Sequence, residues 1–171
     1  MPSSNNRPNS VRRLTRAALL TAIALTIFMA EAQLPAPVPI PGVKLGLANI
    51  ITVYAMYLLG PADTLLILIS RIFLGAVFSG QMMTLLYSLG GGLVSFCAML
   101  LLRRIFDEEH LWLVSPISAV CHNLGQLLVA AVVMQTWAVL AYLPYLILAA
   151  IISGLFTGWC TQFLVRRLTK P

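Results

Sequence analysis

The sequence predicts an all-α polytopic membrane protein, a bundle of six transmembrane helices. Of 171 residues, 60% are hydrophobic and 9% charged, with a mean hydropathy of +0.92, whereas a soluble domain carries about 25% charged residues. Apolar runs recur at lengths close to the ~20 helical residues that cross a hydrocarbon core of about 30 Å. Arg7, Arg12, Arg13, Arg16, Arg103, Arg104, Arg166, Arg167 and Lys170, nine of the eleven basic residues, fall on one side of a six-span arrangement. By the positive-inside rule both termini are then cytoplasmic, in a cell membrane.

The first span, 14–32, follows a basic tail of residues 1–13. A basic stretch, a short apolar core and Ala30-Glu31-Ala32 also have the form of a secretory signal with an A-x-A site. Cleavage before Gln33 would leave five spans in the same orientation. Ala18 and Ala22, a small-x-x-x-small pair, favour a retained helix that packs closely on another. Leu34 to Gly42 follows, with proline at every second residue, so this segment is extended rather than helical. It reads either as a plain linker or as a lid over a pocket that opens outward.

The second span, 44–60, ends at Gly60-Pro61, and the third, 62–79, ends at Ser79-Gly80. The fourth, 82–102, holds Gly90-Gly91-Gly92, which permits a kink or a close neighbour. The polar run Arg103 to His110 separates it from the fifth, 112–134. The sixth, 138–165, carries Gly154 and Gly158 as a G-x-x-x-G pair, and residues 166–171 form a basic tail. The membrane domain is thus 14–165.

Several function classes drop out. The net charge of +6 is topogenic rather than gathered on a soluble face, so nucleic acid is not a partner. Cys97, Cys121 and Cys160 are scattered through apolar stretches and read as small packing residues, with no disulfide. No metal or cofactor is expected, and the triple glycine is no phosphate loop, because no strand precedes it and no Lys-Ser or Lys-Thr follows.

Six polar residues stand out from this background: Lys44, Asn49, Arg71, His122, Asn123 and Gln126. Arg71 lies midway along the third span, and a charge at the bilayer centre costs at least about 2.5–3.5 kcal/mol on insertion scales. Glu31 is the carboxylate left on the outer half as a protein partner. Lys44 can snorkel to the headgroups without touching a ligand. His122 and Gln126 at i, i+4, and Asn123 and Gln126 at i, i+3, form one polar patch. Such patches also occur as plain interhelical hydrogen bonding, worth about 0.6 kcal/mol on average. The set reads as the candidate substrate-binding site, with Arg71 and Lys44 as its positive charges.

Three stretches carry a resemblance: Pro41-Gly-Val-Lys-Leu-Gly-Leu-Ala-Asn49, Arg71-Ile-Phe-Leu-Gly75 and His122-Asn-Leu-Gly-Gln126. They resemble the bacterial membrane family labelled heptaprenyl diphosphate synthase component I, also called the Gx transporter family. That family in turn resembles the S components of energy-coupling factor transporters, small six-helix proteins that bind vitamins or related molecules from outside. The resemblance implies that Ala18-Leu-Leu-Thr-Ala22 docks on a coupling transmembrane subunit and that the proline-rich segment occupies the place of a gating loop.

Chemistry limits the enzyme in the family label. Prenyl elongation needs Asp-rich motifs to hold Mg²⁺ on a diphosphate leaving group. Here Asp63 and Asp107 are far apart, neither in a D-D-x-x-D string. The chain is therefore expected not to be an enzyme by itself. The leading expectation is a transport component that binds a small anionic or polar-headed solute and works with a coupling subunit and ATPases. The alternative is a membrane accessory subunit beside a soluble prenyl synthase, or in quinone synthesis; a third is a scaffold whose polar groups only hold helices together.

Overall fold

The computed structural model describes residues 7–33, 46–80 and 82–169. Lys44 and the segment 34–43, expected as a linker or a lid, lie outside the described residues. Six α-helices follow in chain order: α1 (Arg7–Glu31), α2 (Asn49–Leu58), α3 (Pro61–Ser79), α4 (Met82–Leu102), α5 (Leu111–Val133) and α6 (Leu143–Thr169). Short 3-10 turns at Glu108–His110 and Trp137–Tyr142 precede α5 and α6. The described residues contain no strand.

Five of these helices are long and apolar enough to cross a membrane, and α2 is not. At 10 residues and ~1.5 Å per residue it spans about 15 Å. This departs from the expected second span of 44–60. The apolar run is real, but Gly46 at φ +78° and Gly60 at φ +98° leave the helical region near its two ends. What surrounds α2 is protein: Asn49, Ile51, Thr52, Val53, Ala55, Met56 and Tyr57 are buried, and every other α-helix packs against it.

The outer helices agree closely with the expected spans. Gly60 caps α3, with Pro61 at its first position, and Gly80 ends it at φ +65°. The helix of α1 begins at Arg7, within the stretch expected as a tail, and α6 continues past Arg166 and Arg167 to Thr169. The start of the expected sixth span is instead a 3-10 turn, whose cap Thr136 accepts a hydrogen bond from the Ala138 amide.

One end of the bundle gathers the basic residues. Arg13 of α1 donates to both carboxylate oxygens of Asp63 in the first turn of α3, at 2.6 and 2.8 Å. Tyr57 Oη donates to the Phe106 carbonyl at 3.2 Å, and the Gln162 amide donates to the Glu108 carbonyl at 2.6 Å. These contacts bring the starts of α1, α3 and α5 together with the ends of α2, α4 and α6. Arg13, Arg103, Arg104, Arg166 and Arg167 therefore share this basic end.

Helix packing in a membrane lacks a hydrophobic driving force, so close backbone approach must replace it. A Cβ on Gly125 of α5 would lie 2.6 Å from the Gly90 carbonyl oxygen and 3.0 Å from Gly91 Cα of α4. On the other side, a Cβ on Gly158 of α6 would lie 2.9 Å from Trp112 Cα and 3.0 Å from the Leu111 oxygen, both on α5. Both glycine motifs thus serve α5, which is clamped from two sides. Ser115 and Thr157 add a hydroxyl pair at 2.8 Å across the α5–α6 seam.

Candidate functional site

α5 reads as three layers from the basic end. Leu111 and Val114 join an apolar cluster with Met56, Leu68, Ile72, Met99 and Val165. Leu127, Ala130 and Ala131 join a second cluster with Tyr87, Val139 and Leu146. Between them stand His122, Asn123 and Gln126, all buried. A polar layer enclosed above and below by hydrocarbon must find partners for its groups, because burying a polar group without a hydrogen bond is costly.

The layer is assembled from five helices. Arg71 of α3 is buried and lies within electrostatic reach of Glu31 on α1 and His122 on α5. His122 and Gln126 straddle Gly91 of α4: a Cβ there would meet Gln126 Cγ at 2.6 Å and His122 Cε1 at 3.1 Å. The absence of a side chain at Gly91 therefore makes room for both. Asn123 turns the other way, where its Nδ2 donates to the Leu146 carbonyl of α6 at 3.1 Å. The expected polar patch is thus divided between two seams of α5.

Asn49 belongs to an adjoining string rather than to the layer's centre. Its Nδ2 donates to Ser118 Oγ at 2.9 Å, and Ser118 pairs with Ser95 Oγ at 2.7 Å. Ser118 is one helical turn from His122 toward the basic end, so α2 begins part way down α5. Gly46, just before it, lies against the His122 ring, with 3.5 Å from a built Cβ to Cδ2. Non-helical backbone at such depth is tolerated where protein encloses it or where it lines a cavity.

Glu31 holds that backbone. Its two carboxylate oxygens accept from the Gly46 amide at 2.6 Å and the Leu47 amide at 3.0 Å. These N–H groups precede the first turn of α2, where an anion is favoured by the helix dipole and by unmet donors. Glu31 was expected as the protein partner for Arg71. It also has this second task, which the sequence alone did not reveal.

Four buried polar atoms in the layer find no hydrogen-bond partner among the described residues: Arg71 Nε, His122 Nδ1, Asn123 Oδ1 and Gln126 Oε1. One is an obligate donor, two are amide oxygens, and the imidazole nitrogen serves in either role. Because the Asn123 amide nitrogen faces a carbonyl, its oxygen is fixed as the acceptor. Each such group left unmade costs about 1–3 kcal/mol. These atoms belong to four of the six polar residues singled out in the sequence, Arg71, His122, Asn123 and Gln126; Asn49 is adjacent, and Lys44 lies outside the described residues.

Ser95, Ser118 and Gly125 were not singled out from the sequence as parts of the site. The signal was spacing: Ser118 precedes His122 by one turn, Ser95 follows Gly91 by one turn, and Gly125 sits inside the His122–Gln126 string. Ala18 and Ala22 lie on the exposed face of α1, opposite Ala17, Thr21, Ala24 and Phe28, which are buried. Among the described residues no neighbouring helix covers them. Among the described residues no three His, Cys, Asp or Glu side chains converge as a metal site, and all three cysteines are free.

A search of the curated proteins finds no match. The family described as heptaprenyl diphosphate synthase component I matches residues 20–164, a span that holds Asn49, Arg71, His122, Asn123 and Gln126, and this chain belongs to that family.

Proposed function

We propose that this protein is a non-enzymatic membrane component that binds a small polar solute in the layer between the two apolar clusters and serves its transport. The observation that carries this reading is the group of four unpartnered buried atoms on Arg71, His122, Asn123 and Gln126. Their chemistry describes the missing partner. Arg71 calls for a carboxylate, phosphate or carbonyl oxygen, whereas the Gln126 amide oxygen, on the same seam as His122, calls for an N–H or O–H group. A solute with an anionic or carbonyl group at one edge and donors at another meets both needs; a bare polyanion meets the first alone.

In this reading the solute arrives from the far end, opposite the basic one. The basic end faces the cytoplasm of a cell membrane, and so do both termini. The chain carries no nucleotide-binding motif, so uphill transport needs ATPases and a coupling transmembrane subunit. The exposed Ala18/Ala22 face of α1 is where such a subunit would approach, as in the S components that the sequence resembles.

The family's description favours a second reading, in which the chain is the membrane subunit of a prenyl diphosphate synthase. Without an Asp-rich motif it would be non-catalytic, a partner for a separate soluble chain. The deciding experiment purifies the protein in mild detergent and identifies retained small molecules by mass spectrometry for wild type, Arg71→Lys and Arg71→Met at equal folded yield. Arg71→Lys keeps the charge but loses the planar fork of donors, so both variants should lose the solute. Equal retention in all three would remove the site assignment. Recovery of a prenyl synthase chain in the same preparation, with elongation activity that depends on both, would favour the second reading.

A further inference from the structure

A groove of about 390 Å³ lies at the basic end between α5 and α6, lined by Trp112, Trp159, Gln162, Phe163 and Arg166. It is separate from the polar layer, because Leu111, Val114, Met99 and Val165 of the first apolar cluster stand between them. Trp159 and Phe163 are 70% and 64% exposed, so the wall opens sideways, toward whatever surrounds the bundle. Its polar floor is already engaged: Gln162 accepts from the Leu111 amide at 2.9 Å and donates to the Glu108 carbonyl at 2.6 Å. The guanidinium of Arg166 is then the charged group of the lining, with the indole N–H groups of Trp112 and Trp159 as its other donors. Arg167 is turned instead onto the Phe163 ring, at 5.3 Å from its centroid.

We propose that this groove holds one anionic glycerophospholipid, its phosphate on Arg166 and an acyl chain along Trp112, Trp159 and Phe163. From Trp159 to Arg166 is two helical turns, about 10 Å at ~1.5 Å per residue, so the lining passes from headgroup level into the hydrocarbon. Tryptophan is enriched at that boundary. Charge complementarity selects the headgroup, since basic residues near the cytoplasmic surface attract anionic lipids. A partner helix fits this surface poorly: helix association in membranes uses small residues that let backbones approach, and the walls here are the bulkiest side chains available. Glu108 and Glu109 precede α5 at the same end, so a zwitterionic lipid, with an amine for those carboxylates, is the competing occupant that the test must separate.

The test is native mass spectrometry of the full chain in mild detergent with equimolar phosphatidylglycerol and phosphatidylethanolamine of matched acyl chains. Wild type should retain one phosphatidylglycerol with several-fold preference. Arg166→Gln should bring the two lipids to parity, Arg166→Lys should keep part of the preference, and Trp159→Ala should lower retention of both. Arg104→Gln, at the same end but off the groove, should leave the preference unchanged. Equal retention of both lipids by wild type, or a preference that survives Arg166→Gln, would overturn the proposal. So would a dimer mass that Trp159→Ala abolishes, because a second copy would then be the occupant. Elution profile and helical content of each variant establish equal folding.

Discussion

Glu31 and Gly125 show how single residues set this site without belonging to its polar face. The Glu31 carboxylate meets two backbone amides at once, so Glu31→Ala should destabilise the fold by about 1–3 kcal/mol, while Glu31→Gln, which keeps one acceptor oxygen, should cost less. Thermal unfolding in detergent orders the three proteins, and equal midpoints would show that the two contacts contribute nothing. At Gly125 the contact is backbone to backbone, with the Gly90 oxygen 2.6 Å from a built Cβ. Gly125→Leu should push α4 from α5 and disperse the polar layer, an overpacking penalty of at least about 1–3 kcal/mol. Its measurable outcome is a lower melting temperature together with loss of the retained solute. Leu128→Ala, at an exposed position of the same helix, is the control and should change neither.

At the scale of helices, α1 presents two unlike faces. One packs on α2 and α3 through Ala17, Ala24 and Phe28; the other exposes Ala18 and Ala22. Replacing both alanines with Leu should leave melting unchanged and reduce recovery of a partner subunit, measured by affinity purification from the native membrane. Unchanged recovery would remove the docking face. The limits of α3, α4 and α5 were legible in the sequence because Gly-Pro, Ser-Gly and a charged run punctuate them. The length of α2 was not, since an apolar run has the same composition whether lipid or protein surrounds it. Arg71, His122 and Gln126 were legible as candidate site residues because polar groups in an apolar chain need partners, and the structure buries all three. Ser95 and Ser118 were not, because a helical hydroxyl commonly bonds its own preceding carbonyl and so carries no long-range signal. That Asn123 faces α6, rather than His122's partner helix, is a matter of rotation about α5 which the i, i+3 spacing alone did not separate.

For the molecule as a whole, the gathering of Arg13, Arg103, Arg166 and Arg167 at one end predicts its orientation. Single cysteines at positions 5 and 170, in a cysteine-free background, should be shielded from impermeant reagents in intact cells and labelled once the membrane is opened; labelling of either from outside would reverse the topology. The polar layer has a further consequence, for biogenesis. α3 leaves the ribosome with Arg71 at its middle, whereas His122 and Gln126 are synthesised about fifty residues later. Alone in lipid such a segment bears a penalty of at least about 2.5–3.5 kcal/mol. α3 should therefore linger at the insertion machinery until α5 emerges, and the helices should enter the bilayer together rather than in turn. Nascent chains arrested before Leu111 should crosslink to the translocon through α3, and those arrested beyond Val133 should be released. Arg71→Leu should let the shorter chain go early.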